Sequence, residues 1–178
     1  MEEANLAHSL TQKINDYLAT MFSEGVMTEE QANASANLLY VLCDIDRIGY
    51  LCRDITQAMK SENGKKTELS KDAIKELKKS IRLIVEMYTY AVEVIEHGTD
   101  AKMKNVQRIK EEIMQLDNKM RRNHIARVKK KKCDAKLTPA YNEILHNIDR
   151  MGNSCVNLME LAQNGISFEH NLVLEADK

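Results

Sequence analysis

The spacing of apolar residues constrains this chain most, because it repeats every three or four positions through long segments. The stripe within 69–97 consists of Ile74, Leu77, Ile81, Ile84, Tyr88, Ala91 and Ile95. The same spacing occurs in 29–60, 101–128 and 138–163, and a weaker version in 3–23 consists of Leu6, Leu10, Ile14, Tyr17 and Met21. A period near 3.5 residues keeps one side of a helix against its partner over many turns. The pattern therefore predicts an all-α fold, an elongated antiparallel bundle of five long helices.

The composition and the helix-end residues favour the same class. One proline, six glycines, two phenylalanines and no tryptophan among 178 residues are too few turn and strand formers for a sheet protein. Gly25 is a suitable helix end, Thr28 and Gln31 form a predicted capping box, Ser70 a predicted N-cap, and Pro139 a predicted first-turn residue. No stretch reaches the ~18–20 apolar residues that a membrane span needs.

The cysteines predict a reducing environment rather than a disulfide framework. No C-x-x-C pair occurs, and three of the four cysteines lie inside apolar helical patterns. We therefore expect free thiols, three of which fill the core. The four residues are Cys43, Cys52, Cys133 and Cys155.

A twelve-residue motif occurs twice. The stretch 44–55 recurs at 147–158, 103 residues later, with Ile, Asp, Arg, Gly and Cys identical at five of the twelve positions. Each copy lies on the second helix of a predicted hairpin, so the repeated unit is larger than one helix. The candidate interaction residues are Asp46, Arg47, Gly49, Asp149, Arg150 and Gly152.

The motif has three readings. A glycine in a helix interior costs roughly 1 kcal/mol, so its presence at the same register twice indicates close approach of a second helix. In that reading the aspartates pair with arginines at a bundle interface. In the second reading the aspartates collect a metal ion or a phosphate-linked ligand. The third reading is a partner surface of another kind.

The motif resembles that of PhoU proteins, in which each three-helix repeat carries a stretch similar to Asp-Leu-Glu-Arg-Ile-Gly-Asp-x-x-x-Asn-Ile. The stretch from Arg121 to Arg127, the Cys133 loop and the copy at 147–153 are similar to the PhoU-like cytoplasmic domain of the sodium/phosphate cotransporter family. The resemblance covers about 3–163. It implies an incomplete first repeat in 1–66, a full repeat in 67–165 and a C-terminal tail in 166–178.

The resemblance also implies a function. We expect a non-enzymatic regulatory or accessory domain on the cytoplasmic face of a membrane transporter, in the same polypeptide as the transporter. The first helix of the first repeat and the membrane part would then precede Met1. The alternatives are a free-standing PhoU-type regulator of phosphate uptake and signalling, and a metal-binding bundle. No phosphate loop, nucleophile elbow or catalytic Ser/His/Asp arrangement is present in the sequence.

Departures from the family pattern weaken the metal reading. PhoU proteins can hold metal clusters on acidic pairs spaced i, i+4, but here the second members are Tyr50 and Asn153. A single carboxylate per helix is a poor site for a hard metal. No cofactor is therefore expected, and the weak metal candidates are Asp46, Glu112 and Asp149.

Two surfaces are predicted to contact other molecules. The run Lys119–Lys132 contains eight Lys or Arg and no acid, which fits either a solvated helix end or an anionic lipid surface. Nucleic acid is not expected, since aromatic interleaving is absent. If the first repeat lacks a helix, its hairpin exposes an apolar groove. A second copy, exchanged helices or the tail 166–178 could fill that groove.

Overall fold

A computed structural model of the protein describes residues 2–25, 27–59, 69–97 and 102–163. The described part is all-helical, as the apolar spacing predicts. Its elements are α1 (Glu2–Glu24), α2 (Glu29–Ala58), α3 (Lys71–His97), α4 (Met103–Lys129), a 3₁₀ turn (Ala135–Leu137) and α5 (Thr138–Gln163). The predicted tail 166–178 lies outside the described residues, and the division at 66/67 stays a prediction.

The helix ends follow the predicted chemistry. The Thr28 hydroxyl accepts from the Gln31 N–H, and the Gln31 side chain accepts from the Thr28 N–H, which completes the capping box. Ser70 accepts from the Ala73 N–H at the start of α3. Gly25 has a φ of 63°, a left-handed conformation that glycine adopts with little strain.

The α5 helix is the centre of the molecule, since it packs against α2, α3 and α4. Together α3, α4 and α5 form a three-helix unit, and α1 joins the bundle by packing against α2. Fully buried side chains of the three-helix unit include Met87, Ile109, Met120, Tyr141 and Leu158. Both helices that carry the repeated motif, α2 and α5, therefore meet face to face in the middle of the bundle.

Several predicted core positions are wrong. Cys43 and Cys52 are exposed, and among the cysteines only Cys155 is buried; all four thiols are free. In α1 the predicted stripe faces outward: Leu6 is 60% exposed and Tyr17 is 65% exposed. Helical spacing identifies an apolar stripe, but burial also requires a neighbouring helix over it, and α1 has α2 on another side.

No helix in the described ranges combines the length and the apolarity that crossing a bilayer demands.

Candidate functional site

The first motif copy lies against α1. Nδ1 of His8 is 3.0 Å and 3.1 Å from the two carboxylate oxygens of Asp46, and since a carboxylate only accepts, Nδ1 carries the proton. The Tyr50 hydroxyl lies 2.9 Å from Nδ1 and 3.2 Å from Nε2 of the same ring. A Cβ added at Gly49 would lie 3.7 Å from Cβ of Ala4, an ordinary contact distance. Asp46 and Gly49 therefore hold α1 and α2 together.

Two arginines lie within this first copy. The Arg53 guanidinium lies over the Tyr50 ring, 4.4 Å from its centroid, in a cation–π contact. Arg47 is half exposed and pairs with Asp44 at 3.4 Å. Asp44 is buried, and its negative charge adds to the effect of burial in raising the pKa of Cys155 on α5 to about 12. The Asp44 carboxylate thus lies close to the α2–α5 interface.

The second motif copy lies against α4. The Lys110 ammonium donates to Asp149 Oδ1 at 2.6 Å and to the Asp149 carbonyl at 3.2 Å, and Asn153 donates to Asp149 Oδ2 at 3.4 Å. A Cβ added at Gly152 would lie 3.3 Å from Cδ and Nζ of Lys110. Arg150 is exposed. The aspartate again holds a basic side chain of the preceding helix, and the glycine leaves room for it.

The two copies thus make the same kind of helix contact, but the glycine of the second copy lies closer to its neighbouring side chain. In each, the aspartate pairs with a nitrogen base on the preceding helix, and the glycine faces that same helix. The surroundings differ, because Gly49 meets a small Ala4 while Gly152 meets the long Lys110 side chain. This geometry is that of a helix-packing contact.

The weak metal candidates are each held by a base. Glu112 accepts from Lys79 at 2.8 Å and lies 3.7 Å from Arg108, and the hydrogen bond from Lys79 lowers the pKa of its carboxyl. Asp46 and Asp149 have the partners given above. In the described ranges no three His, Cys, Asp or Glu side chains gather as metal ligands would need. The candidates therefore do not form a cluster of free carboxylates in this part of the chain.

A buried polar network missed by the sequence reasoning connects α3, α4 and α5. Arg127, 8% exposed, donates to Glu76 at 2.9 Å and to the Tyr141 hydroxyl at 3.4 Å. Asn123 also donates to Glu76. Burial raises the pKa of Tyr141 to about 12, and the Glu76 charge adds to that shift. Arg127 continues the apolar stripe of α4 at three- and four-residue spacing, which was the available sequence signal.

His124 closes the other side of this network. Its ring stacks on Tyr141, with centroids 4.5 Å apart and planes 19° apart. Nε2 lies 3.0 Å from the Thr138 hydroxyl and Nδ1 lies 3.8 Å from the Cys133 sulfur. Burial, with the nearby Arg127 charge, lowers the pKa of His124, which favours the neutral ring. His124 thus ties the connection between α4 and α5 to the core.

Comparison with known proteins adds one match. The family model described as the PhoU domain matches residues 77–162, from the first turns of α3 to the end of α5. A search of curated proteins and a search of solved structures each found no match. The matched range covers all of α4, most of α3 and α5, and the second motif copy, so this three-helix unit is PhoU-like; the first copy lies outside the match. The match supports a phosphate-related, regulatory helical domain.

Proposed function

We propose that the chain is an accessory, non-enzymatic domain that regulates a sodium-dependent phosphate transporter from the cytoplasmic face of the membrane, within the transporter's own polypeptide. The observation that carries the proposal is the PhoU domain match over 77–162. The repeated motif supports it, because in both copies the charged aspartate bonds a base on the neighbouring helix and so takes part in helix packing. The exposed faces of the helices are then the surfaces through which the domain would regulate the transporter.

A free-standing PhoU-type regulator is the second candidate and is equally compatible with the match. The two candidates differ in the sodium dependence expected of the phosphate uptake they control. A free-standing regulator shared among transporters can act on a transporter that is not coupled to sodium. A metal-binding bundle is less favoured, since the candidate carboxylates Asp46, Glu112 and Asp149 each face a base.

Phosphate uptake separates these candidates. In cells whose gene for this chain is disrupted, we expect the sodium-dependent component of radiolabelled phosphate uptake to change at least twofold, with the sodium-free component unchanged. Restoring the gene should restore the difference, and the matched control is uptake of sulfate by the same cells. A change confined to the sodium-free component would favour the free-standing regulator. No change in either component would contradict both.

The proposed membrane surface is the basic end of α4 and the turn after it. Of the eight cations in Lys119–Lys132, two are engaged inside the molecule: Arg121 with Asp117 at 2.7 Å, and Arg127 with Glu76. The remaining six are exposed: Lys119, Arg122, Lys129, Lys130, Lys131 and Lys132. Several of them line a concavity of about 450 Å³ together with Lys75 of α3. These six cations suit anionic lipid headgroups, at up to about 1 kcal/mol each.

Vesicle binding tests this surface. We expect the purified chain to bind vesicles containing phosphatidylserine, and the triple substitution Lys130→Gln, Lys131→Gln, Lys132→Gln to weaken binding about a hundredfold at low salt. The matched control removes three exposed cations elsewhere: Lys13→Gln, Lys104→Gln and Arg150→Gln. Equal losses in both triple variants would show a general charge effect and contradict a defined lipid surface.

A further inference from the structure

The outer face of α1 is apolar and uncovered. Leu6, Leu10 and Tyr17 are 60%, 50% and 65% exposed, and Ile14 lies beside them on the same stripe. On the packed side of α1, Ala4 and His8 contact α2, and Thr11 and Leu18 are buried. A continuous stripe of exposed apolar side chains along one helix is unusual on the surface of a monomeric protein.

The internal repeat shows which helix covers the equivalent face of α4. The 103-residue offset between the motif copies also relates Leu6 to Ile109, Leu10 to Ile113 and Tyr17 to Met120. These three α4 residues are fully buried, at 0%, 1% and 0% exposure. Helix α3 covers this face, since the Ser80 hydroxyl lies 3.3 Å from the Met120 sulfur. The α1 stripe is therefore equivalent to a helix-covered face, and no helix in the described ranges buries it.

The neighbouring face of α2 is likewise more exposed than the equivalent face of α5. Cys52 is exposed, whereas Cys155 at the equivalent position of α5 is fully buried and lies near Tyr88 of α3. Leu38 and Ile45 are only partly buried. Their equivalents on α5, Tyr141 and Ile148, are 0% and 2% exposed. We call the open face of both helices the hairpin groove: Leu6, Leu10, Ile14 and Tyr17 of α1 with Leu38 and Cys52 of α2.

Two charges beside the hairpin groove are reversed relative to α4, and Lys13, three residues after Leu10, is a base on the same stripe. On α4, Arg127 pairs with Glu76 of α3, and Lys119 lies near the same end of α3. The equivalent α1 residues are Glu24 and Asp16, both acidic. Residues 1–60 as a whole contain nine acids and four bases. A helix suited to this groove therefore needs basic residues where α3 has Asp72 and Glu76.

We propose that the hairpin groove binds an amphipathic α-helix of a partner protein, one with an apolar stripe like that of α3 and with basic flanks. Helix-in-groove binding of this kind uses anchors at i, i+3, i+4 and i+7. Charge favours this occupant over two others. A second copy would bring the same acidic α1 against itself, and the tail 166–178 adds Glu169, Glu175 and Asp177. The proposal does not depend on the phosphate-related function.

The test uses the full chain and two labelled peptides. One peptide has the sequence of residues 71–97, and the other has the same sequence with Asp72→Lys and Glu76→Lys. By fluorescence anisotropy we expect the lysine peptide to bind at least tenfold more tightly than the unchanged peptide. In the protein, Leu10→Glu should weaken binding of the lysine peptide more than tenfold, because it places a charge in the hairpin groove. Met114→Glu on α4 is the matched control, since Met114 is 54% exposed and lies outside the groove.

Several outcomes would overturn the proposal. They include no binding by either peptide, equal binding by both, and equal weakening by Leu10→Glu and Met114→Glu. Light scattering adds a further check: a dimer that Leu10→Glu dissociates would assign the groove to a second copy. Binding that appears only after removal of 164–178 would assign it to the tail. Circular dichroism of Leu10→Glu confirms that the variant is folded, which is expected because Leu10 is half exposed.

Discussion

Arg127→Met is expected to lower the free energy of unfolding by about 3–5 kcal/mol, the usual cost of removing one partner of a buried ion pair. Arg127 is 8% exposed and bonds both Glu76 and Tyr141, so its loss removes the charged partner of Glu76, which keeps only Asn123 as a donor, and the donor to the Tyr141 hydroxyl. Urea denaturation followed by circular dichroism measures the change. Arg122→Met is the matched control, because Arg122 is exposed on the same helix. We expect that control to change stability by less than about 0.5 kcal/mol.

A double variant tests the physical cause. If the uncompensated Glu76 carboxylate causes most of the loss, then Arg127→Met combined with Glu76→Gln should be more stable than Arg127→Met alone. Asn123 would still donate to the new amide oxygen. A loss below about 1 kcal/mol for Arg127→Met, or a double variant less stable than the single, would contradict the role given to this ion pair.

Gly152→Leu is expected to lower the free energy of unfolding by about 2–3 kcal/mol through overpacking. Even a single Cβ at this position would lie 3.3 Å from two atoms of Lys110 and 3.7 Å from Ile84. A leucine must displace Lys110 from Asp149, which breaks a contact of 2.6 Å between α4 and α5. Thermal and urea unfolding measure the loss.

The first motif copy offers the contrasting substitution. Gly49→Ala should stabilise the protein by about 0.5–1 kcal/mol, because alanine is the better helix former and its Cβ finds ordinary contact with Ala4. Unchanged stability in Gly152→Leu, or a large loss in Gly49→Ala, would contradict the difference in tightness between the two copies.

The sequence predicts where the helices begin and end, but it does not predict which of their side chains are buried. Apolar spacing and caps such as Thr28 and Gln31 predict each helix within a few residues, since these signals are local. Whether a stripe is buried depends on a neighbour, which explains why Leu6 and Cys52 are exposed against expectation. Ile74 and Ile81 of α3 are also more than one third exposed, because the true core stripe is rotated toward Ala73, Ser80 and Met87.

The candidate site was predictable in part. The repeat placed Asp46 and Asp149 at matching positions, and the structure gives each a base on the preceding helix. The expected arginine partners were wrong: the bases are His8 and Lys110, since nothing local to α2 or α5 encodes the opposing residue. Arg127 was missed as a core residue because charged side chains in a basic run are usually solvated. Only its partners on α3 and α5 make its burial favourable.

The central position of α5 has a consequence for how the molecule opens. A helix packed on three sides, as α5 is, separates only when the bundle unfolds as a whole. By contrast, α1 is attached on one side through Ala4, His8 and Thr11, so it can detach while the other four helices stay assembled. The protein should therefore have graded local stability, with a persistent three-helix nucleus and a first helix that samples release.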